Sequence, residues 1–442
     1  MMPRVLIIAG SDSGGGAGIQ ADLKTVTLLG GWGMTAVTAL TAQNTQGVQA
    51  IHEVPPAFIA QQIDAVARDI GVDAVKIGML LHPSTVQTVA RKIRQYRFPK
   101  VVLDPVMTAK GGVRLLSSEA EKTLIQELFP LATLITPNLP ESEALTGRSV
   151  RDPKGMRAAA LRLHRMGARN VLIKGGHLDG DPIDLLFDGK NFLELKGRRW
   201  KTPHTHGTGC TMASAIAVEW AKGQSLRDAV EVAKSFVSFA IRAARPLGHG
   251  NGPIDPFSFT ARELERYRII QKLKEGFLTL QKKKIGNLCP EVQSNLGYAL
   301  PYAQAPEDVA AFPGRIIRIG AEIFKVADPE FGASRHIAEI ILTAMAYDQS
   351  WRSAMNLRFS PEILARAKDA GLRIAYFNRR NEPLSLKRRE GASLSWGIEQ
   401  ALKKSRTRPD IIYDRGDLGK EPMIRVLGRD PQEVVEKVIR LT

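Results

Sequence analysis

The stretch His206 to Ile216, H-G-T-G-C-T-M-A-S-A-I, is where residue type and spacing most directly imply chemistry. Gly207, Thr208, Gly209 and Cys210 stand just before a run of small and apolar residues, Met212 to Val218, that reads as a helix. Two glycines let the backbone turn tightly and bring N–H groups close to a ligand. A helix start adds unpaired donors and a partial positive charge. Together these make a pocket for an anion, most naturally a phosphoryl group that gains charge during transfer. An ordinary glycine turn before a helix would be written with the same letters. An earlier loop, Gly10-Ser11-Asp12-Ser13-Gly14-Gly15-Gly16-Ala17-Gly18, is neither a Lys-Ser/Thr phosphate loop nor a clean dinucleotide fingerprint. In the last third, Arg, His and Asp residues lie in Gly-rich loops at strand and helix ends, an arrangement suited to phosphate or pyrophosphate.

The elements that must position these residues alternate along the first part of the chain. Val5–Ala9, Thr35–Leu40, Ala74–Ile77, Val101–Leu103, Thr133–Thr136 and Val171–Lys174 read as buried strands. Between and after them, Pro56–Asp69, Pro83–Tyr96, Ser118–Phe129, Pro153–Met166, Thr211–Lys222 and Leu226–Ala244 read as helices. Such alternation predicts an α/β fold, a mainly parallel sheet with helices on both faces. Ligands on such sheets bind at the carboxyl ends of the strands. The glycine loop, Asp104, Asn138, Lys174 and the 207–210 loop all follow strands or lie between elements, so they are expected to converge on one edge.

A chain of 442 residues exceeds one typical core at roughly 150 residues per domain. The expected division is a first domain over 1–256, a helical segment over 257–284 and a separate α/β domain over 285–442. In the last of these, 314–320 and 323–326 read as a strand pair, and Ser334 as the cap of a helix beginning near His336. The net charge of +17 is shared between both parts. No basic stripe interleaved with aromatics is visible, so anionic small molecules are the expected partners, with no nucleic acid. Two cysteines, Cys210 and Cys289, argue against a disulfide framework and for a reducing, cytoplasmic setting. Val5–Ala9 is too short for a secretory core or for a span of about 20 residues, so no membrane is expected.

The first part resembles the hydroxymethylpyrimidine/phosphomethylpyrimidine kinases of thiamine biosynthesis, in the ribokinase-like superfamily. The resemblance rests on A-G-S-D-S-G-G-G-A-G-I-Q-A-D-L-K-T (9–25), T-A-L-T-A-Q-N-T (38–45), V-K-I-G-M-L (75–80), V-L-D-P-V-M (102–107), T-P-N-L-P-E (136–141), I-K-G-G-H (173–177) and H-G-T-G-C-T (206–211). It implies a homo-oligomer, a dimer through this domain, acting with ATP and Mg²⁺. It places the aminopyrimidine against Gly10, Asp22, Gln43 and Met79; some relatives carry Glu at the Gln43 position. It assigns Lys174 to the ATP phosphates, Gly207, Thr208 and Gly209 to the anion hole, and Asp104, Asn138 and Glu141 to magnesium. Cys210 stands where sugar kinases of the superfamily place a catalytic Asp. At a helix N-terminus a thiolate is stabilised and would accept a hydroxyl proton. His206 and His177 read as structural or supporting residues.

Residues 285–442 resemble the archaeal-type thiamine-phosphate synthase, often fused to such a kinase. The motifs are P-G-R-I-I-R-I-G (313–320), P-E-F-G-A-S-R-H-I-A (329–338), S-A-M-N-L-R-F-S (353–360), E-G-A-S-L-S-W-G (390–397) and P-D-I-I-Y-D-R-G-D-L-G-K-E-P-M-I-R-V-L-G (409–428). Asn378 stands where the family pattern has Asp. The resemblance implies coupling of the pyrimidine diphosphate to thiazole phosphate, with functional Arg315 and His336. Asp414, Asp417 and Lys420 are the weaker candidates for a metal–pyrophosphate end. The competing expectation is a pyridoxine-type kinase fused to a non-catalytic domain that senses thiamine phosphate. No DNA-binding helix-turn-helix precedes that domain, and retention of Arg315 and His336 favours catalysis.

Overall fold

The computed structural model describes residues 2–442 except 109–111, 113–114, 384–391, 406–407 and 418. Arg388 and Arg389 of the charged loop, and the start of the 390–397 motif, lie outside the described residues. The chain divides into two compact units, Met1–Thr260 and Ala261–Thr442.

In the first unit β1 (Arg4–Ala9), β2 (Trp32–Val37), β5 (Ala74–Ile77), β6 (Val101–Leu103), β7 (Leu134–Ile135) and β8 (Asn170–Ile173) form the parallel part of an eight-stranded sheet. The antiparallel pair β9 (Ile183–Phe187) and β10 (Phe192–Lys196) extends it, in the order β10-β9-β8-β7-β6-β5-β1-β2. Val5 to Ala9 and Ala74 to Ile77 are buried along their length, as strands covered on both faces must be. A separate hairpin, β3 (Ala39–Asn44) with β4 (Gly47–Glu53), stands off this sheet. The expected strand Thr35–Leu40 is therefore split: the run stays apolar, but the chain leaves the sheet at Thr38 and starts the hairpin.

The helices are α1 (Gly18–Leu28), α2 (Pro56–Asp69), α3 (Pro83–Tyr96), α4 (Ser118–Glu127), α5 (Leu139–Thr146), α6 (Pro153–Arg165), α7 (Thr208–Ala221) and α8 (Leu226–Arg242). Proline at the first helical position sets α2, α3 and α6 at the residues predicted. Helix α7 starts three residues before the expected Thr211, because Gly207 adopts φ +83° and caps it with backbone alone. Gly209 and Cys210 thus belong to its first turn.

The 26-residue helix α9 (Phe257–Lys282) begins in the first unit, where Phe259 packs against Phe236 and Phe239. From Ala261 onward it belongs to the second unit. Ile269, Leu273, Phe277 and Leu280 are buried in that unit's core. This segment is thus part of the second fold, and a boundary at residue 285 cuts through a core.

The second unit has a seven-stranded sheet ordered β15 (Glu330–Phe331), β12 (Val309–Ala311), β11 (Leu296–Ala299), β16 (Ser353–Arg358), β19 (Met423–Gly428), β18 (Ile411–Asp414) and β17 (Ile374–Tyr376). Every neighbouring pair is antiparallel except β17 with β18. The predicted strand pair is the hairpin β13 (Ile316–Ile319) and β14 (Glu322–Lys325). The helices are α10 (Arg335–Tyr347), α11 (Pro361–Asp369), α12 (Ala392–Lys404) and α13 (Pro431–Ile439). Ser334 caps α10 by accepting from the Ile337 N–H.

A fragment spanning 261–442 is expected to unfold in one cooperative thermal transition followed by circular dichroism. A fragment spanning 285–442, which loses four buried side chains, is expected to show none. Within the longer fragment Phe277→Ala should cost about 3–5 kcal/mol.

Candidate functional site

Parallel strands deliver their carboxyl ends to one edge of the first sheet. Sheet order reverses at β1, which has β2 on one side and β5 on the other, so a crevice opens there. Gly10 follows β1 and Met79 follows β5. A Cβ on Gly10 would lie 2.2 Å from Met79 Cε, so the glycine is what lets the two line the same crevice.

Two glycine loops meet beside it. Asp12 gathers the first: its carboxylate accepts from the N–H groups of Gly14, Gly16 and Ala17. His206 Nε2 lies 2.9 Å from Asp12 Oδ2 and 3.3 Å from Gln43 Nε2. Burial raises the Asp12 carboxyl, but His206 and the backbone donors outweigh it and hold the group below its ordinary value. Gly207 presses on the first loop so closely that a Cβ there would lie 1.8 Å from the Gly16 carbonyl oxygen. His206 therefore ties the helix-start loop to Gln43, whose backbone is also anchored by Ser13.

The start of α7 faces the ends of β6, β7 and β8. Lys174 Nζ is 2.6 Å from Asp104 Oδ1, and Thr136 donates to the same oxygen. A Cβ on Gly209 would lie 3.2 Å from Lys174 Nζ and 3.5 Å from Asp104 Oδ2. Lys174, Asp104, Gly209 and Cys210 are thus brought together. Burial works against the Lys174 charge, but Asp104 and Glu141 outweigh it and raise its pKa.

Asn138 and Glu141 form a reciprocal capping box at α5: Asn138 Oδ1 accepts from the Glu141 N–H, and Glu141 Oε2 accepts from the Asn138 N–H. Burial pushes Glu141 up to about 7, with Asp104 adding to the rise and Lys174 opposing it.

Two expectations need correction. Asp22, expected as a polar contact to the ring, has no exposed surface. Its carboxylate is held by Lys76 Nζ at 2.7 Å and by Ser214 Oγ at 2.7 Å, so it lies beneath the ligand surface. Cys210 was expected as a stabilised thiolate. Its surroundings are dense enough that desolvation raises the thiol to about 11, although Lys76 pulls the other way. A first-turn position does not offset that loss of water. Lys76 keeps its ammonium: burial opposes the charge, but Asp22, Cys210 and Asp104 outweigh it and raise its pKa. Lys76, Asp12 and Ser214 were missed in the sequence, although a lysine inside the apolar run Ala74–Ile77 was a visible signal.

In the second unit a cavity of about 310 Å³ is lined by Arg315, His336, Arg379, Arg425 and Lys420, among others. Arg315 and His336 are therefore brought to one place. Arg315 adopts φ +69° and donates to the Val292 carbonyl. Desolvation by the cavity walls lowers His336 to about 4, with Arg425, Arg315 and Arg379 adding to the effect. Asp414, expected at a metal–pyrophosphate end, is fully buried between Arg379 (2.7 Å) and Arg425 (2.8 Å) and also accepts from the Gly416 N–H. It is a counter-ion of the arginines. Asp417 pairs through its backbone with Lys420 and is not among the described residues lining the cavity. Arg425 stands inside the 409–428 motif and Arg379 directly follows Asn378, but neither was singled out as a site residue in the sequence. Among the described residues no group of three His, Cys, Asp or Glu side chains forms a metal cluster, and no helix is long and apolar enough to cross a membrane.

Comparison with known proteins follows the same division. Residues 12–255 match the model of the family described as phosphomethylpyrimidine kinase, and residues 272–440 match that of thiamine-phosphate synthase ThiN. The thiamine biosynthesis bifunctional protein ThiED of Geobacter sulfurreducens is 58% identical over 252 residues, 57% of this chain and 51% of that protein, so the match spans about half of that relative's length. The hydroxymethylpyrimidine/phosphomethylpyrimidine kinase of Bacillus subtilis is 49% identical over 60% of this chain and 98% of its own. Among solved structures, an ADP complex of Bacillus subtilis pyridoxal kinase superposes with a TM-score of 0.56 at 39% identity, covering 59% of this chain and 99% of that one. With that family's model matched over more than half of its length, the chain belongs to the phosphomethylpyrimidine kinase family.

Proposed function

We propose that the first unit phosphorylates an aminopyrimidine alcohol twice at the expense of ATP. The second unit then couples the diphosphate to a thiazole phosphate, giving thiamine phosphate and pyrophosphate. The observation that carries the first half is the meeting of Lys174, Asp104 and Cys210 at the start of α7, beside the Gly10–Met79 crevice. ATP as donor is supported by the ADP complex of the superposing kinase.

In the first step the hydroxymethyl oxygen attacks the γ-phosphorus, the bond to the ADP oxygen breaks, and the hydroxyl proton passes to the Cys210 sulfur in its ionised form, which is the minor form at pH 7. In the second, an oxygen of the new phosphate attacks the next γ-phosphorus and ADP again leaves. Backbone N–H groups of the α7 first turn and the Lys174 ammonium face the transferring oxygens. Gly10, Met79 and Gln43 hold the ring; a Gln amide offers a donor and an acceptor to an aminopyrimidine edge.

The donor set fits Mg²⁺. Asp104 and Glu141 are buried carboxylates that share Lys174, and burial, with Asp104 adding, pushes Glu141 up to about 7. Hard oxygen donors short of a cation suit this ion. Asp104 and Glu141 would hold it, while Asn138, whose oxygen is spent on the cap, keeps Glu141 in place. When bound it would neutralise phosphate charge.

In the second unit the bond between the pyrimidine methylene and the diphosphate oxygen breaks, its electron pair leaving with pyrophosphate. The thiazole nitrogen then bonds to that carbon. With its pKa near 4, His336 is a neutral hydrogen-bonding ring at pH 7, and Arg315 supplies charge.

Three outcomes test this reading. A one-pot reaction of the aminopyrimidine alcohol, MgATP and thiazole phosphate yields thiamine phosphate, with pyridoxal a weak competitor in the first step; tight binding of both rings without turnover would instead mark the second unit as a sensor. Cys210→Ala lowers kcat of the first phosphorylation by about 10²–10⁴ and abolishes its rise with pH between 7 and 9, a rise expected because a thiol near 11 must ionise to accept a proton. Finally, a carboxyl raised from 4.5 to about 7 favours the folded protein most below 4.5, and that advantage is lost as pH rises through 7. Glu141→Gln is therefore expected to melt with the parent at pH 5 and a few degrees above it at pH 8. Mg²⁺ should raise the parent's melting temperature at pH 8 and leave that of Glu141→Gln unmoved.

A further inference from the structure

Arg425 is 1% exposed, on strand β19, and lines the second unit's cavity. Its Nη1 reaches Asp414 Oδ2 at 2.8 Å and the Met423 carbonyl at 3.4 Å. Its Nε has no hydrogen-bond partner among the described residues. Arg379, 7% exposed, binds the same carboxylate through Nε at 2.7 Å and Nη2 at 3.3 Å. Asp414 has no capacity left, since its Oδ1 also accepts the Gly416 N–H. Both guanidiniums stand about 5.5 Å from the Phe377 ring.

Two buried cations thus share one carboxylate. Breaking even is difficult for a fully matched buried ion pair, and a surplus charge away from water is worse. A buried guanidinium N–H without an acceptor is likewise a group that folding alone leaves unsatisfied. Burial and the neighbouring Arg379 lower the Arg425 pKa, so the strain falls on this residue. The missing component is an anion that enters from the cavity.

We propose that Arg425 is the buried anion anchor of this cavity, its Nε donating to a phosphoryl oxygen of a diphosphate-bearing ligand beside Arg379. The assignment rests on the synthase reading of the second unit for its ligand class. Asp414 orients both guanidiniums at the cavity wall and leaves the Arg425 Nε–H for the ligand. Within that reading this donor lies where water cannot compete for it, where charge builds on a departing diphosphate.

The test uses the full chain and inorganic pyrophosphate, with inorganic phosphate as the second arm. The reporter is the His336 ring resonance, identified by its loss in His336→Gln, so that binding at the first unit's phosphate site does not enter. Pyrophosphate is expected to shift it, with Kd at least tenfold weaker in Arg425→Met and at least threefold weaker in Arg425→Lys. Arg425→Lys keeps a charge at this position should the methionine variant fail to fold. The ligand-free melting temperature of Arg425→Met is expected not to fall, because Arg379 and Asp414 then form a matched pair. Unchanged Kd in the folded variants would overturn the proposal, as would phosphate binding as tightly as pyrophosphate with the same loss. If the parent makes no thiamine phosphate yet the Arg425 dependence holds, the anchor stands and the synthase reading falls. If turnover proceeds with neither Kd nor KM altered in the variants, the synthase reading stands and the anchor falls.

Discussion

The buried ion pair of Lys76 with Asp22 is the constraint around which the first unit's site is organised. Both residues have no exposed surface, and neither charge would be tolerated there without the other. Removing one partner of such a pair costs about 3–5 kcal/mol, because the survivor is left charged and dry. The pair also fixes geometry. Asp22 belongs to α1 and Lys76 to β5, and Ser214, one turn beyond Cys210 on α7, closes the set by donating to Asp22. Strand β5, helix α1 and helix α7 are therefore pinned at one point.

From that point charge alternates outward. Lys76 is influenced by Asp22, Cys210 and Asp104; Asp104 meets Lys174; Lys174 is influenced by Glu141. Each group is held in its charge state by its neighbours, so altering one shifts several. This explains how a helix start can coexist with a protonated thiol. The dipole and Lys76 both favour a thiolate, but Asp22, Asp104 and the loss of water favour the thiol more strongly. In the second unit two arginines that line the cavity share one buried carboxylate, Asp414.

The parallel core was legible because its strands are mostly apolar and most of its helices begin at proline or serine caps, which sequence displays directly. Alternation also located the strand ends, and hence Gly10, Asp104, Asn138 and Lys174 on one edge. Less legible were features set by through-space contact. The hairpin of β3 and β4 followed an unbroken apolar run, so nothing in the letters marked the exit at Thr38. Asp22 looked like a ligand contact because Lys76, its partner, lies 54 residues away. Asp414 looked like a metal ligand because its arginine partners come from two other stretches of chain. An isolated carboxylate in a sequence carries no record of whether its charge is already matched.

The same reasoning bears on the role of glycine in the first site. The 206–210 loop was read as an anion pocket because glycine exposes backbone donors. The structure adds a second requirement at Gly207, where a side chain would strike the Gly16 carbonyl at 1.8 Å. Contact between two backbones is what sets the α7 start against the loop gathered by Asp12. His206, the residue before Gly207, then links Asp12 to Gln43. The donors that would face a phosphate and the amide that would face a ring are thus held by one continuous set of short contacts. A displacement of the helix start would be transmitted to Gln43 through His206, which contacts it directly. Placement of ring and phosphate is on this account a single mechanical property of the two loops, and Lys76 with Asp22 is the fixed point below it.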